Sequence, residues 1–137
     1  MKKPYNPVLG EIFRCRWKLS DQTDAYFVAE QVSHHPPISA YYYCVPEHNI
    51  IISGDVRPKS KFLGNSAATL MQGTSRVILT SHNEEEYLIN LPNVYARGIL
   101  FGTMFIEMGD SVIIKCPRTD IICELNFQVK VFGIFFF

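Results

Sequence analysis

Glu30-Gln31-Val32-Ser33-His34-His35-Pro36-Pro37 reads as a strand that stops on two imidazoles. Successive residues of a strand point to opposite faces, so a flat strand would aim His34 and His35 apart. Pro36 fixes its own φ and pushes His35 toward an extended backbone. The spacing therefore predicts that the strand ends here and that the chain turns both rings toward one mouth or rim. Imidazole donates hydrogen bonds in either protonation state, so the pair reads as a clamp for an anionic head group. The bland alternative is a pair of loop histidines satisfied by backbone carbonyls. Glu30 and Gln31 stand where they would hold the clamp or meet a basic neighbour.

Outward from this stretch, strand signals recur every 8–12 residues, the rhythm of an all-β sandwich or barrel. Strands are predicted near 11–18, 25–32, 38–45, 49–57, 67–72, 75–81, 86–91, 95–101, 103–108, 111–116 and 122–130. Breakers such as Asp21-Gln22-Thr23-Asp24, Gly64-Asn65, Gln72-Gly73, Gly109-Asp110 and Pro117-Arg118 separate them. No helical stripe is sustained over twelve residues. Residues 11–18 alternate, with Phe13, Cys15 and Trp17 on one face and Ile12, Arg14, Arg16 and Lys18 on the other. Residues 38–45 are apolar or aromatic on both faces, which demands cover on both sides. A lipid tail, a packed terminal segment or an ordinary second sheet would supply it. Short connections favour antiparallel neighbours, and closing such a meander into a barrel hides its edges and leaves room for a small ligand.

At 137 residues one domain with a sizeable core is expected. Hydrophobic residues make up 47% and charged residues 19%, so the chain is ordered. Thirteen basic and thirteen acidic side chains cancel, which leaves no global field for nucleic acid and requires any attraction to phosphate to be local. Cys15, Cys44, Cys116 and Cys123 show no CxxC spacing and read as reduced thiols, with a Cys116–Cys123 pairing left open. The polar N-terminus has no signal-peptide pattern. Apolar runs fall far short of the ~18 residues a spanning helix needs.

Three further stretches accompany the octapeptide: Lys3-Pro4-Tyr5-Asn6-Pro7-Val8-Leu9-Gly10-Glu11, then residues 58–66 (Pro-Lys-Ser-Lys-Phe-Leu-Gly-Asn-Ser), then Arg97-Gly98-Ile99-Leu100-Phe101-Gly102. Together the four resemble the signatures of the oxysterol-binding protein family, whose members carry single lipids between membranes. The last two look most like the branch that exchanges phosphatidylserine for phosphatidylinositol 4-phosphate. The resemblance implies an all-β antiparallel meander forming part of a large incomplete barrel around a lipid tunnel. It also implies that residues 1–137 are one partial domain, without the N-terminal lid and later basic ligands of the family, and with 131–137 a truncated or atypical tail.

By the same resemblance, His34, His35 and Lys3 meet the phosphoinositide, and Lys3, Asn6 and Ser60 meet phosphatidylserine. Sterol is the alternative cargo. Three donor-rich stretches beside turns, Lys3/Asn6, His34/His35 and Ser60/Asn65, are the candidates for the mouth of a lipid slot. Asn6 and Ser60 also have plain readings, as an Asx-turn residue and as a surface serine between two lysines. Transient contact with membranes is implied, at junctions of endoplasmic reticulum and plasma membrane in the cytoplasm. Arg97 with Lys59 and Lys61 would make a basic rim, although such charges are usually only solvated. Glu11 is placed to anchor the first strand, and His48 and His82 read as surface turn residues.

No enzyme is expected. Ser33-His34 adjacency is a poor route to an activated serine, and the nucleophile-elbow pattern is absent. Neither metal nor cofactor is expected: adjacent histidines lack the i, i+2 spacing of strand ligands, and no glycine-rich nucleotide loop occurs. Two rivals to a lipid exchanger remain, a lipid-gated sensor or scaffold and a generic barrel carrier of small hydrophobic molecules.

Overall fold

The computed structural model describes residues 5–129; Lys3 and the tail from residue 131 lie outside them. Ten strands form one antiparallel sheet: β1 (Ile12–Lys18), β2 (Asp24–Ser33), β3 (Ile38–Val45), β4 (Ile50–Phe62), β5 (Ser66–Gln72), β6 (Thr74–Leu79), β7 (Glu85–Asn90), β8 (Asn93–Arg97), β9 (Phe105–Cys116) and β10 (Ile121–Phe127). The order is a simple meander once two long bent strands are recognised. β5 and β6 run along one edge of β4 without a slip, from Phe62↔Ala67 through Arg57↔Gln72 to Ile50↔Leu79. β7 and β8 likewise form a second long strand against β9.

That second strand is one residue short of both neighbours. Between Thr69↔Val94 and Thr74↔Asn90, five steps face four. The same mismatch occurs between Asn93↔Gly109 and Ile89↔Ile114. Each surplus residue is taken up by a bulge holding a positive φ, Gly73 (126°) and Asp110 (68°). A Cβ at Gly73 would stand 2.1 Å from the Asp55 carbonyl oxygen, so only glycine fits. Asp110 tolerates its bend because Asn93 (2.7 Å) and Tyr95 (2.6 Å) donate to its carboxylate. That hydrogen bonding holds the Asp110 carboxyl below its ordinary range and the Tyr95 phenol above its own.

The predicted strands 103–108 and 111–116 are therefore one, because Gly109-Asp110 makes a bulge where a turn was expected. Another difference lies at β4, which was expected to stop at Arg57 before Pro58 and instead runs on to Phe62. Pairing with β3 ends at Val56, so beyond it β4 has a neighbour on one side only. A proline without N–H is tolerated on such an edge. The predicted strand 95–101 ends at Arg97, where Gly98 turns the chain with φ 66°.

Directly opposed residues share a face, and the register divides the sheet sharply. One face carries Phe13, Phe27, Tyr41, Ile52, Val77, Ile89, Val94, Ile106 and Ile114, with Glu85 as its one charged strand residue among the described residues. The other carries Arg14, Arg16, Lys59, Lys61, Arg76 and Glu107, among other charges. Rings of the apolar face follow one another, Phe13 tilted against Phe27 (6.2 Å) and Phe27 stacked on Tyr41 (6.3 Å). Tyr41 then crosses Gly54, which has no side chain to block it, and its hydroxyl bonds Ser75.

No second sheet covers this face among the described residues. Ala25, Val45, Ala68, Val112 and Cys116 are the buried apolar residues, while Phe13, Phe62 and Ile106 are 60%, 66% and 73% exposed. All four cysteines are free, which closes the question of a Cys116–Cys123 pairing. No helix of the described residues is long and apolar enough to cross a membrane.

Candidate functional site

β2 ends at Ser33, after a register slip between Gln31 and Ser33 against β3. The slip is held by Gln31, which is 5% exposed. Its Nε2 donates to the Ser33 carbonyl (2.8 Å), and its Oε1 accepts from Ser39 Oγ (2.5 Å). The Gln31 backbone also binds the preceding segment: its N–H donates to Glu11 O (3.0 Å) and its carbonyl accepts from Gly10 N (2.8 Å). Glu11 closes the turn by accepting from Val8 N (3.0 Å). These bonds lay residues 6–11 beside the end of β2. The chain then turns through residues 34–37, with the two imidazoles edge to face at 4.4 Å.

From the other side β4 brings Pro58 and Ser60, which the register places on the apolar face. The result is a recess of about 390 Å³ lined by Asn6, Pro7, Gln31, His34, His35, Pro37, Ser39, Pro58 and Ser60. Ligand clefts run from about 300 to 1,000 Å³. Imidazole, amide and hydroxyl groups line this one, and no carboxylate does. A site rich in donors and free of acids suits an anion. It sits at the end of the apolar face, beside a smaller recess that shares Pro7, Gln31 and Ser39 with it and is lined by Phe13 and Ala29 together with Glu11 and Glu30.

Asn6, His34, His35 and Ser60 are thus brought together from three separated stretches, and Lys3 lies outside the described residues. Asn65 is not with them. It sits at the β4–β5 tip, accepts from Leu100 N and Phe101 N (both 2.9 Å) and donates to Phe101 O (2.9 Å). Arg97 is held by Glu107 (2.8 Å) and lies over Tyr95 at 4.8 Å, and Lys59 and Lys61 point to the charged face, so these three form no basic rim around the recess. His48 meets Asp21 (2.5 Å) and His82 meets Ser81 (3.0 Å), in turns at the opposite end. Ser39 was missed. Its signal was a small hydroxyl at the first inward position of an otherwise aromatic strand.

The Asn65 bonds make a prediction. Asn65→Ala removes three hydrogen bonds of about 0.5–1.5 kcal/mol each and frees residues 98–104. Limited proteolysis of the variant is expected to cut there faster than in the parent chain. An unchanged cleavage rate would show that other contacts hold the loop.

Comparison with known proteins agrees with this architecture. The family model described as oxysterol-binding protein matches residues 1–135, and the chain belongs to the oxysterol-binding protein family. It is 51% identical over 133 residues to the oxysterol-binding protein-like protein OBPa of Candida albicans, covering 96% of this chain and 31% of that protein. The chain thus spans about a third of the length of the curated relatives it matches first. Among solved structures, the Osh3 ORD from Saccharomyces cerevisiae in complex with PI(4)P aligns with a TM-score of 0.80 at 22% identity, over 98% of this chain and 34% of that one. The Osh1 ORD in complex with cholesterol aligns with a TM-score of 0.79 at 32% identity, over 93% and 30%. The all-β, incomplete-barrel expectation is met by these likenesses.

Proposed function

We propose that this chain is the lipid-binding part of a non-enzymatic carrier that exchanges phosphatidylserine for phosphatidylinositol 4-phosphate between membranes. One observation carries the reading: an apolar face with no second sheet over it among the described residues runs into a recess whose polar lining is imidazole, amide and hydroxyl, without a carboxylate. Each methylene left in water costs about 0.8 kcal/mol, so two acyl chains cost ~20 kcal/mol unless a carrier encloses them. The apolar face supplies one wall of that enclosure. His34 and His35 grip the phosphomonoester, which carries close to two charges near neutral pH. Asn6 and Ser60 hold the serine head group, and Lys3, with three donors on a flexible stem, serves either lipid.

Competition of two lipids for one cavity lets a phosphoinositide gradient drive the other lipid uphill, with no cofactor in the protein. The setting in this reading is cytoplasmic, at contacts of endoplasmic reticulum and plasma membrane. A second reading, sterol in place of phosphatidylserine, is supported by the 32% identical Osh1 ORD solved with cholesterol.

Liposome-to-liposome transfer tests the proposal. Phosphatidylserine transfer is expected to accelerate when acceptor vesicles carry phosphatidylinositol 4-phosphate, with the phosphoinositide moving back. Sterol moving in its place supports the second reading. Saturable binding with negligible transfer would make the chain a sensor, and indifference to the phosphoinositide would make it a generic carrier; either result overturns the exchange.

A further inference from the structure

The two ends of the sheet differ in kind. The difference is in the loops: turns at the far end, around residues 19–23, 46–49, 80–84 and 117–120, contain no exposed large apolar side chain, although Trp17, Ile121 and Ile122 are exposed in the strands beside them. Loops at the end that holds the recess do carry such side chains. There the β4–β5 tip presents Phe62 and Leu63, 66% and 43% exposed, and the neighbouring loop presents Leu100, Phe101 and Met104, 60%, 77% and 68% exposed. Asn65 ties the two loops into one unit. Gly64 and Gly102 hold the turns at φ 73° and 97°, and a Cβ on either would meet nothing within 4 Å. Leu63 and Phe101 border a recess between the two loops, together with Phe105 and Val129.

Lys61 precedes Phe62, and Lys59 stands two residues, about 7 Å of strand, farther back; both are exposed on the charged face. We infer that this paired tip, residues 62–65 with 98–104, is a docking surface for anionic bilayers. Apolar knobs enter the acyl boundary while the lysines behind them remain at head-group depth, the arrangement of an interfacial anchor. A protein partner needs an area of about 800 Å² a side, and it is the two lysines set behind the apolar side chains that favour an anionic bilayer over one. The inference rests on the lipid-carrier reading for its purpose: docking here turns the recess toward the membrane that supplies its guest.

Vesicle flotation of the full chain tests it, with phosphatidylcholine alone or mixed with phosphatidylserine. L100D/F101D is expected to lower partitioning about tenfold or more. K59A/K61A is expected to lower it about tenfold on the phosphatidylserine mixture and little on phosphatidylcholine. Phe101→Trp, on vesicles with brominated acyl chains, is expected to be quenched, whereas Ser81→Trp at the far end is not. Unchanged flotation of L100D/F101D, or an unquenched Trp at 101, overturns the bilayer assignment and leaves the knobs to a protein partner. Uptake of monomeric short-chain phosphatidylinositol 4-phosphate in solution separates this from the carrier reading. A tip variant that loses flotation and keeps uptake supports the docking surface; loss of both overturns it, since the tip would then act through the recess. A parent chain that floats but takes up no short-chain lipid sinks the carrier reading and leaves the tip standing.

Discussion

His34→Ala/His35→Ala is expected to weaken phosphatidylinositol 4-phosphate binding about 10²–10⁴-fold while leaving phosphatidylserine uptake partly intact. The rings stand 4.4 Å apart in a recess with no carboxylate, so both can donate to one phosphate. A hydrogen bond to a charged group contributes about 1.5–3 kcal/mol, and two of them give the expected range. Exposed turn residues carry little of the fold, so alanine removes donors without opening a core. Phosphatidylserine has no phosphomonoester and relies in this reading on Asn6 and Ser60, from different stretches of chain. Titration with short-chain forms of each lipid measures both affinities. Equal loss of the two lipids, with the fold preserved, would count against separate head-group roles.

Much of this arrangement was legible in the sequence because strands encode their faces with a period of two. Phe13, Cys15 and Trp17 share the apolar face as their alternation required. The octapeptide marked its own turn, since two prolines after two histidines leave no way to continue a ladder. What stayed hidden depended on neighbours. Pro58 reads as a strand end until β3 is seen to stop at Val56, which makes the rest of β4 an edge. Gly109-Asp110 reads as a turn until Asn93 and Tyr95 are seen to hold the Asp110 carboxylate in a bulge. Asn65 resembled Ser60 as a polar residue beside a turn. Strand register separates them: Ser60 faces into the recess, while Asn65 at the tip finds the backbone of residues 100–101. Arg97 looked like a rim cation because its partner Glu107 lies on the next strand, which no local pattern reveals.

Gln31 shows how far one buried side chain governs the site. Gln31→Leu keeps most of the volume and removes both hydrogen-bonding ends. The Ser33 carbonyl and the Ser39 hydroxyl then lose their partner in a part-buried setting, at about 1–3 kcal/mol each. A destabilisation of about 2–6 kcal/mol is expected, read as a drop in thermal unfolding temperature. The slip that turns His34 and His35 into the recess loses its tie at the same time, so phosphoinositide affinity is expected to fall with stability. Gln31→Glu separates the two effects. The carboxylate still accepts from Ser39 Oγ but cannot donate to Ser33 O, and it sets a negative charge in the lining of a recess proposed for phosphate. The charge, buried against the Ser33 carbonyl, costs stability as well, and phosphoinositide affinity should fall more than in Gln31→Leu. If Gln31→Glu bound the phosphoinositide as tightly as the parent chain, the recess would not be the phosphate site.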